Sequence, residues 1–139
     1  MLLLVLVKKK IDTIYILLPI LLAALFTGAI SVLLGIPLNF ANIIALPLLL
    51  GIGVDSGIHI LHRLRSDPPA NGILLASSSA RAVVISALTT IFSIGNLAFS
   101  PHLGTASMGK LLTIGITMTL VCTLIVLPSL LAKQIKKLK

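Results

Sequence analysis

Residues 13–54 read TIYILLPILLAALFTGAISVLLGIPLNFANIIALPLLLGIGV, 42 consecutive positions without Asp, Glu, Lys or Arg. One bilayer crossing takes about 20 apolar residues at 1.5 Å of helical rise each, so this run is long enough for two. Gly35-Ile36-Pro37 interrupts it with a helix-stop signal. A first span is therefore expected over about 14–36 and a second over about 43–62, joined by a short turn over 38–42. Helices joined this briefly are antiparallel neighbours.

Two further runs lack charge, Ala82–Gly109 with 28 residues and Leu111–Ala132 with 22. They predict a third span over about 81–99 and a fourth over about 106–131, separated by the breaker Ser100-Pro101-His102-Leu103-Gly104. The longest connection, Arg63–Ala80, holds the turn chemistry Ser66-Asp67-Pro68-Pro69-Ala70-Asn71-Gly72 and a serine cluster, 77–79, suited to capping the next helix. The opening Met1–Val7 is apolar but covers only about 10 Å of helix. It is expected to be the end of a truncated preceding span, and the chain a fragment. The expected fold is an all-α membrane protein, one transmembrane domain of four helices over residues 1–139.

Composition agrees. The apolar set makes up 58% of the chain and charged residues only 10%, where a soluble domain carries about a quarter. Mean hydropathy is +1.19, and disordered chains are poor in apolar residues. A net charge of +8 would suit nucleic acid only if the cations shared a face of a folded domain. Here they flank the apolar runs, so no nucleic-acid partner is expected. Ten of the eleven cations fall in the N-terminal stretch, the middle connection and the tail, which four crossings put on one side. That bias predicts both termini in the cytoplasm. Lys110 alone lies towards the other side. The tail lysines Lys133, Lys136, Lys137 and Lys139 also suit a polybasic lipid-binding patch.

Three acids are present, and Asp12 and Asp67 sit beside cations in the connections. Asp55 lies inside the second span. An ionised carboxylate deep in a bilayer is costly, so such a residue faces protein or water. Desolvation favours the protonated form of a carboxyl, which makes a proton available for exchange. A structural Asp bonded to neighbouring hydroxyls is the alternative. Gly51, Gly53 and Gly57 flank Asp55 as helix-packing candidates, with Gly53 and Gly57 at the spacing that lets another backbone approach. Pro47 upstream kinks the helix or frees a carbonyl. His59 and His62 follow Asp55 on one face, either as a proton path or as interfacial residues. Asp55, His59 and His62 match no metal-ligand motif, and neither metal nor cofactor is expected. On the third span Ser86, Thr89, Ser93 and Asn96 form a polar stripe with Thr90 at its edge. It either faces Asp55 or makes ordinary interhelical hydroxyl bonds.

Residues 39–55, NFANIIALPLLLGIGVD, continuing through Gly57-Ile58-His59 and His62-Arg63, resemble the Asp-bearing helix of resistance-nodulation-division (RND) exporters, above all the MMPL-type lipid exporters. Ser66-Asp67-Pro68-Pro69, Ala80-Arg81-Ala82-Val83-Val84, Ser86-Ala87-Leu88-Thr89-Thr90 and Asn96-Leu97-Ala98-Phe99-Ser100-Pro101-His102 are similar to the hopanoid biosynthesis-associated branch. The resemblance implies two repeats of membrane helices, each with a periplasmic porter domain, of which this chain would supply the last four helices. It implies the bacterial inner membrane, and inward proton flow coupled to outward movement of hopanoid-type or other apolar lipid. Asp55 maps onto the proton-relay carboxylate, with Ser56, Thr89, Thr90 and His59 in support. Many relatives carry Tyr after this Asp, where this chain has Ser56. The partners implied are membrane lipids and either the missing N-terminal half or another copy of the chain.

Other readings stay open. The four-helix region also resembles sterol-sensing domains, which implies a lipid- or partner-binding membrane module, and a non-functional truncated remnant is a further alternative. Gly51-Ile52-Gly53-Val54-Asp55 is superficially similar to the motif of intramembrane aspartyl proteases. That Asp is offset by one residue, and an aspartyl dyad needs a second carboxylate, which no other span contains. No enzyme activity is expected.

Overall fold

The computed structural model describes residues 10–37, 39–66 and 78–137, which form four long helices. They are α1 (Lys10–Leu33), α2 (Phe40–Ser66), α3 (Ser78–Gly95) continued by a 3-10 turn over Asn96–Phe99, and α4 (Leu103–Lys137). Each contains a stretch long and apolar enough to cross a bilayer: Thr13–Leu33, Asn42–His62, Ala80–Phe99 and Leu103–Leu130. Among the described residues there is no strand, and the chain is an all-α, multi-pass membrane protein. The helix end expected at Met1–Val7 and the turn expected after Ser66 lie outside the described residues.

The ends follow from local chemistry. Gly35 takes φ +63°, a left-handed conformation that side chains with a Cβ rarely adopt. The Ile36 N–H then reaches the Ser31 carbonyl at 2.9 Å and the Gly35 N–H reaches Val32 at 3.1 Å. This paired closure satisfies the last carbonyls of α1, and Pro37 prevents continuation. Asn39 caps α2, its Oδ1 accepting the Asn42 N–H at 3.1 Å. α3 begins inside the serine cluster, at Ser78. Pro47 lies within α2 and has no N–H to give the carbonyl of Ile43.

α4 is the axis of the fold, packed against each of the other three helices. Two apolar clusters fill the space around it. One joins Ile16, Ile20, Ile60, Leu61, Val83 and Leu127, and the other joins Ala45, Leu49, Ala87, Leu111, Leu112 and Ile116. Glycines set the close approaches. A Cβ on Gly57 would lie 2.9 Å from Ile16 Cγ2, and one on Gly53 would lie 3.0 Å from Thr119 Cγ2 and 3.1 Å from Ile20 Cγ1. On α4 itself, Gly115 receives the end of the Leu49 side chain and Gly109 lies against the backbone of Leu97 and Ala98. The outward positions are large and apolar, including Leu25, Phe26, Val32, Phe92 and Ile125, a surface made for acyl chains or other helices.

A polar knot ties the α1–α2 turn to the start of α4. The Asn39 amide donates to Ser107 Oγ at 2.7 Å, and Asn42 Nδ2 donates to the Pro37 carbonyl at 2.8 Å. The single Ser107 hydroxyl proton has two acceptors in reach, Asn42 Oδ1 at 3.2 Å and the Gly104 carbonyl at 2.9 Å. Asn42 and Ser107 are both buried, and buried polar groups left unpaired are expensive. The knot therefore fixes the register of α2 against α4, and with it the height of Asp55.

Candidate functional site

Asp55 stands seven residues from the His62 end of its span, about 10 Å into the apolar layer at helical rise. The face of α2 that packs inward carries Asn42, Ala45, Leu49, Gly53, Gly57 and Ile60, all buried. Asp55 lies opposite, in register with Ile44, Leu48, Gly51, His59 and His62, all exposed. Within the four-helix unit the Asp55 side chain is 76% exposed and that of His59 is 66% exposed. The described residues do not enclose the acid.

His59 Nε2 lies 3.5 Å from Asp55 Oδ1, one helical turn away. That is within ion-pair reach if the imidazole is protonated, and longer than a good hydrogen bond. Asp55, Ser56 and His59 share a cleft of about 220 Å³ with Ala82, Val83 and Ser86 of α3. A carboxylate, an imidazole and two hydroxyl-bearing residues around one small space can hold a proton and a few waters. Among the described residues no group of three His, Cys, Asp or Glu side chains is arranged to hold a metal ion.

The stripe on α3 points outward. Ser86, Thr89, Ser93 and Asn96 are all exposed, because the opposite face, Ala80, Val83 and Ala87, is the one buried. Of the stripe, Ser86 joins the Asp55 cleft. Thr89 and Thr90 turn their hydroxyls back to their own helix, donating to the carbonyls of Ile85 and Ser86 at 2.9 Å each. Gly53 and Gly57 are close-packed, whereas among the described residues Gly51 has nothing within 4 Å of where a Cβ would stand. The residues that sequence reasoning missed are Asn39, Asn42 and Ser107. The first carried a visible signal, an Asn directly before an apolar helix, whereas its bond to Ser107 spans 68 positions and no local pattern announces it.

Comparison with known proteins adds a different kind of observation. No family model and no solved structure matches the chain. The chain is 45% identical over 126 residues to the hopanoid transporter HpnN of Rhodopseudomonas palustris, a match covering 91% of this chain and 14% of that protein. To the hopanoid transporter HpnN of Burkholderia multivorans it is 42% identical over 129 residues, covering 92% of this chain and again 14% of the relative. A Methanocaldococcus jannaschii protein named only as a membrane protein is 33% identical over 130 residues, 89% of this chain and 34% of its own length. The chain thus spans about 14% of the length of the hopanoid transporters it matches. At this level of identity, across nearly all of four packed membrane helices, the chain is similar to a segment of the hopanoid transporters, in keeping with the resemblance to RND exporters.

Proposed function

We propose that this chain is the transmembrane part of a proton-coupled exporter of hopanoid-type or other apolar lipids, with Asp55 as its proton carrier. The observation that carries the reading is the position of one acid. Asp55 lies about 10 Å inside an apolar span, beside His59 and in a cleft with Ser86, yet on a face the described residues leave open. A charge left facing acyl chains at depth costs about 2.5–3.5 kcal/mol on insertion scales. Binding a proton removes that cost, and releasing it requires a polar partner or water. Such a group is suited to cycling between the two states as a second helical unit moves against it. His59 and His62 continue the face towards the cation-rich side and provide the exit. Ser56 lies in the cleft itself, while Thr89 and Thr90, bonded back to their own helix, would support the site only by turning their hydroxyls towards it.

The partner that completes the site is the N-terminal half of a larger transporter or a second copy of this chain. Porter domains, which the relatives' greater length accommodates, would select the cargo. Both termini then lie in the cytoplasm of a bacterial cell, across its inner membrane, as the distribution of ten of eleven cations favours.

The test is a chimera in which this chain replaces the matching segment of the Rhodopseudomonas palustris transporter. Transport of hopanoid should be retained by the chimera. It should fall to background in Asp55→Asn, with membrane insertion unchanged. Export by the Asp55→Asn chimera at the parent rate would remove the proton-carrier role and leave a lipid- or partner-binding membrane module.

A further inference from the structure

At the end of the bundle far from the cation-rich connections, a cavity of about 670 Å³ opens between α1, α3 and α4. Leu34, Phe92, Phe99 and Ile114 give it apolar walls, while Asn96 and Lys110 supply polar groups. Lys110 lies seven residues into α4, about 10 Å below its first residue, where an ammonium is costly unless it reaches the interface or meets an anion. It is exposed, and among the described residues no carboxylate stands at that end of the bundle. Asp12 stands at the start of α1, Asp67 follows the end of α2, and Asp55 is in the half of α2 nearer that same cation-rich side.

We infer that this groove binds a phospholipid with an anionic headgroup, in the leaflet opposite the cation-rich connections. Lys110 meets the phosphate, Asn96 offers an amide donor beside it, and the upper acyl chains lie along Phe92, Phe99 and Ile114. Charge complementarity selects this occupant. The cavity joins a cation that meets no carboxylate among the described residues to walls that only hydrocarbon satisfies. Long lysine side chains lift their charge to the headgroup level while their stems cover apolar surface. The site lies at the other end of the bundle from the Asp55 cleft and does not depend on proton coupling.

The chain has no tryptophan, so Phe92→Trp installs a single fluorescent reporter at a side chain that is already 77% exposed. The whole chain carrying this change is reconstituted into vesicles with equal fractions of brominated phosphatidylglycerol or brominated phosphatidylcholine. Quenching should show a preference for the anionic lipid of about fivefold, the worth of one lysine against an anionic surface. Adding Lys110→Gln should abolish the preference without abolishing quenching, and a Leu25→Trp control on the outer face of α1 should show none. Phe99→Trp, also highly exposed, is the second reporter should the first variant insert poorly. Equal quenching by both lipids, or a preference that survives Lys110→Gln, overturns the inference. So does a reporter that neither lipid quenches, since protein would then fill the groove.

Discussion

Glycine is used in this protein at two kinds of position, and they answer to substitution in opposite ways. At Gly115 the space of a Cβ is occupied by the tip of Leu49, a flexible group on α2 that shortening would remove. Gly115→Val should destabilise the bundle by about 1–3 kcal/mol through overpacking, and Leu49→Ala in the same chain should recover part of that loss. Unfolding in mixed micelles gives the four corners of the cycle, and strictly additive losses would contradict the contact. At Gly109 the neighbours are the backbone of Leu97 and Ala98, so even Gly109→Ala should be destabilising and no side-chain truncation should rescue it. Gly51→Ala belongs to the other kind. With nothing within 4 Å, it should be neutral or stabilising by up to about 1 kcal/mol from helix propensity. The spacing of Gly53 and Gly57 predicts a close approach by another backbone, and what lies against them is side chains, of Ile20 and Thr119 at Gly53 and of Ile16 at Gly57. Gly51 differs because two residues along a helix is about 200° of rotation, which carries it from the buried face to the exposed one. Spacing alone never says which face is which.

Among elements, the spans and their ends were the legible part. Charge-free runs and the breakers between them locate all four helices, although α4 continues to Lys137, past the end expected near 131, and Gly35-Ile36-Pro37 closes α1 by the backbone pairing those residue types favour. What no run of residues discloses is that α4 is central, or that the turn before α2 is tied to α4 through Ser107. Both depend on contacts between positions far apart in the chain. Ser107→Ala tests the tie. It leaves the Asn39 amide and Asn42 Oδ1 without the hydroxyl, at a cost of about 1–3 kcal/mol for buried polar groups. Amide exchange at the first turn of α2 should rise with it, whereas Ser129→Ala, on an exposed hydroxyl that bonds only the Val126 carbonyl, should change neither. The direction in which the elements cross is checked by labelling. Cys122 is buried and gives no background, so an impermeant maleimide applied to intact cells should modify Ser100→Cys and spare Arg65→Cys. The reverse pattern would invert the topology that the cations favour.

For the whole molecule, the decisive feature is uneven coverage. Of the four spans α4 is the most buried and α3 the least, and the open side of α3 is its hydroxyl-rich side, next to the exposed face of α2 that carries Asp55 and His59. Scattered apolar exposure is what lipid-facing helices show, but a strip holding an acid, two histidines and four hydroxyl or amide side chains is unsuited to acyl chains. A second helical unit laid over α2 and α3 would cover it, supply partners for the stripe and turn the Asp55 cleft into an enclosed site. The chain expressed by itself in a membrane should therefore pair through this face. Ser93→Cys should oxidise to a disulfide-linked dimer, and Leu25→Cys, exposed on α1, should not. In that dimer a hydrophobic carbodiimide, which attacks protonated carboxyls from the lipid phase, should modify one site per chain, and Asp55→Asn should abolish the modification. Asp55 modified at the same rate in a chain held monomeric by dilution in lipid would mean the partner does not shelter it. Loss of crosslinking in Asp55→Leu would show the acid itself holding the two units together, because only a polar group needs a polar surface opposite.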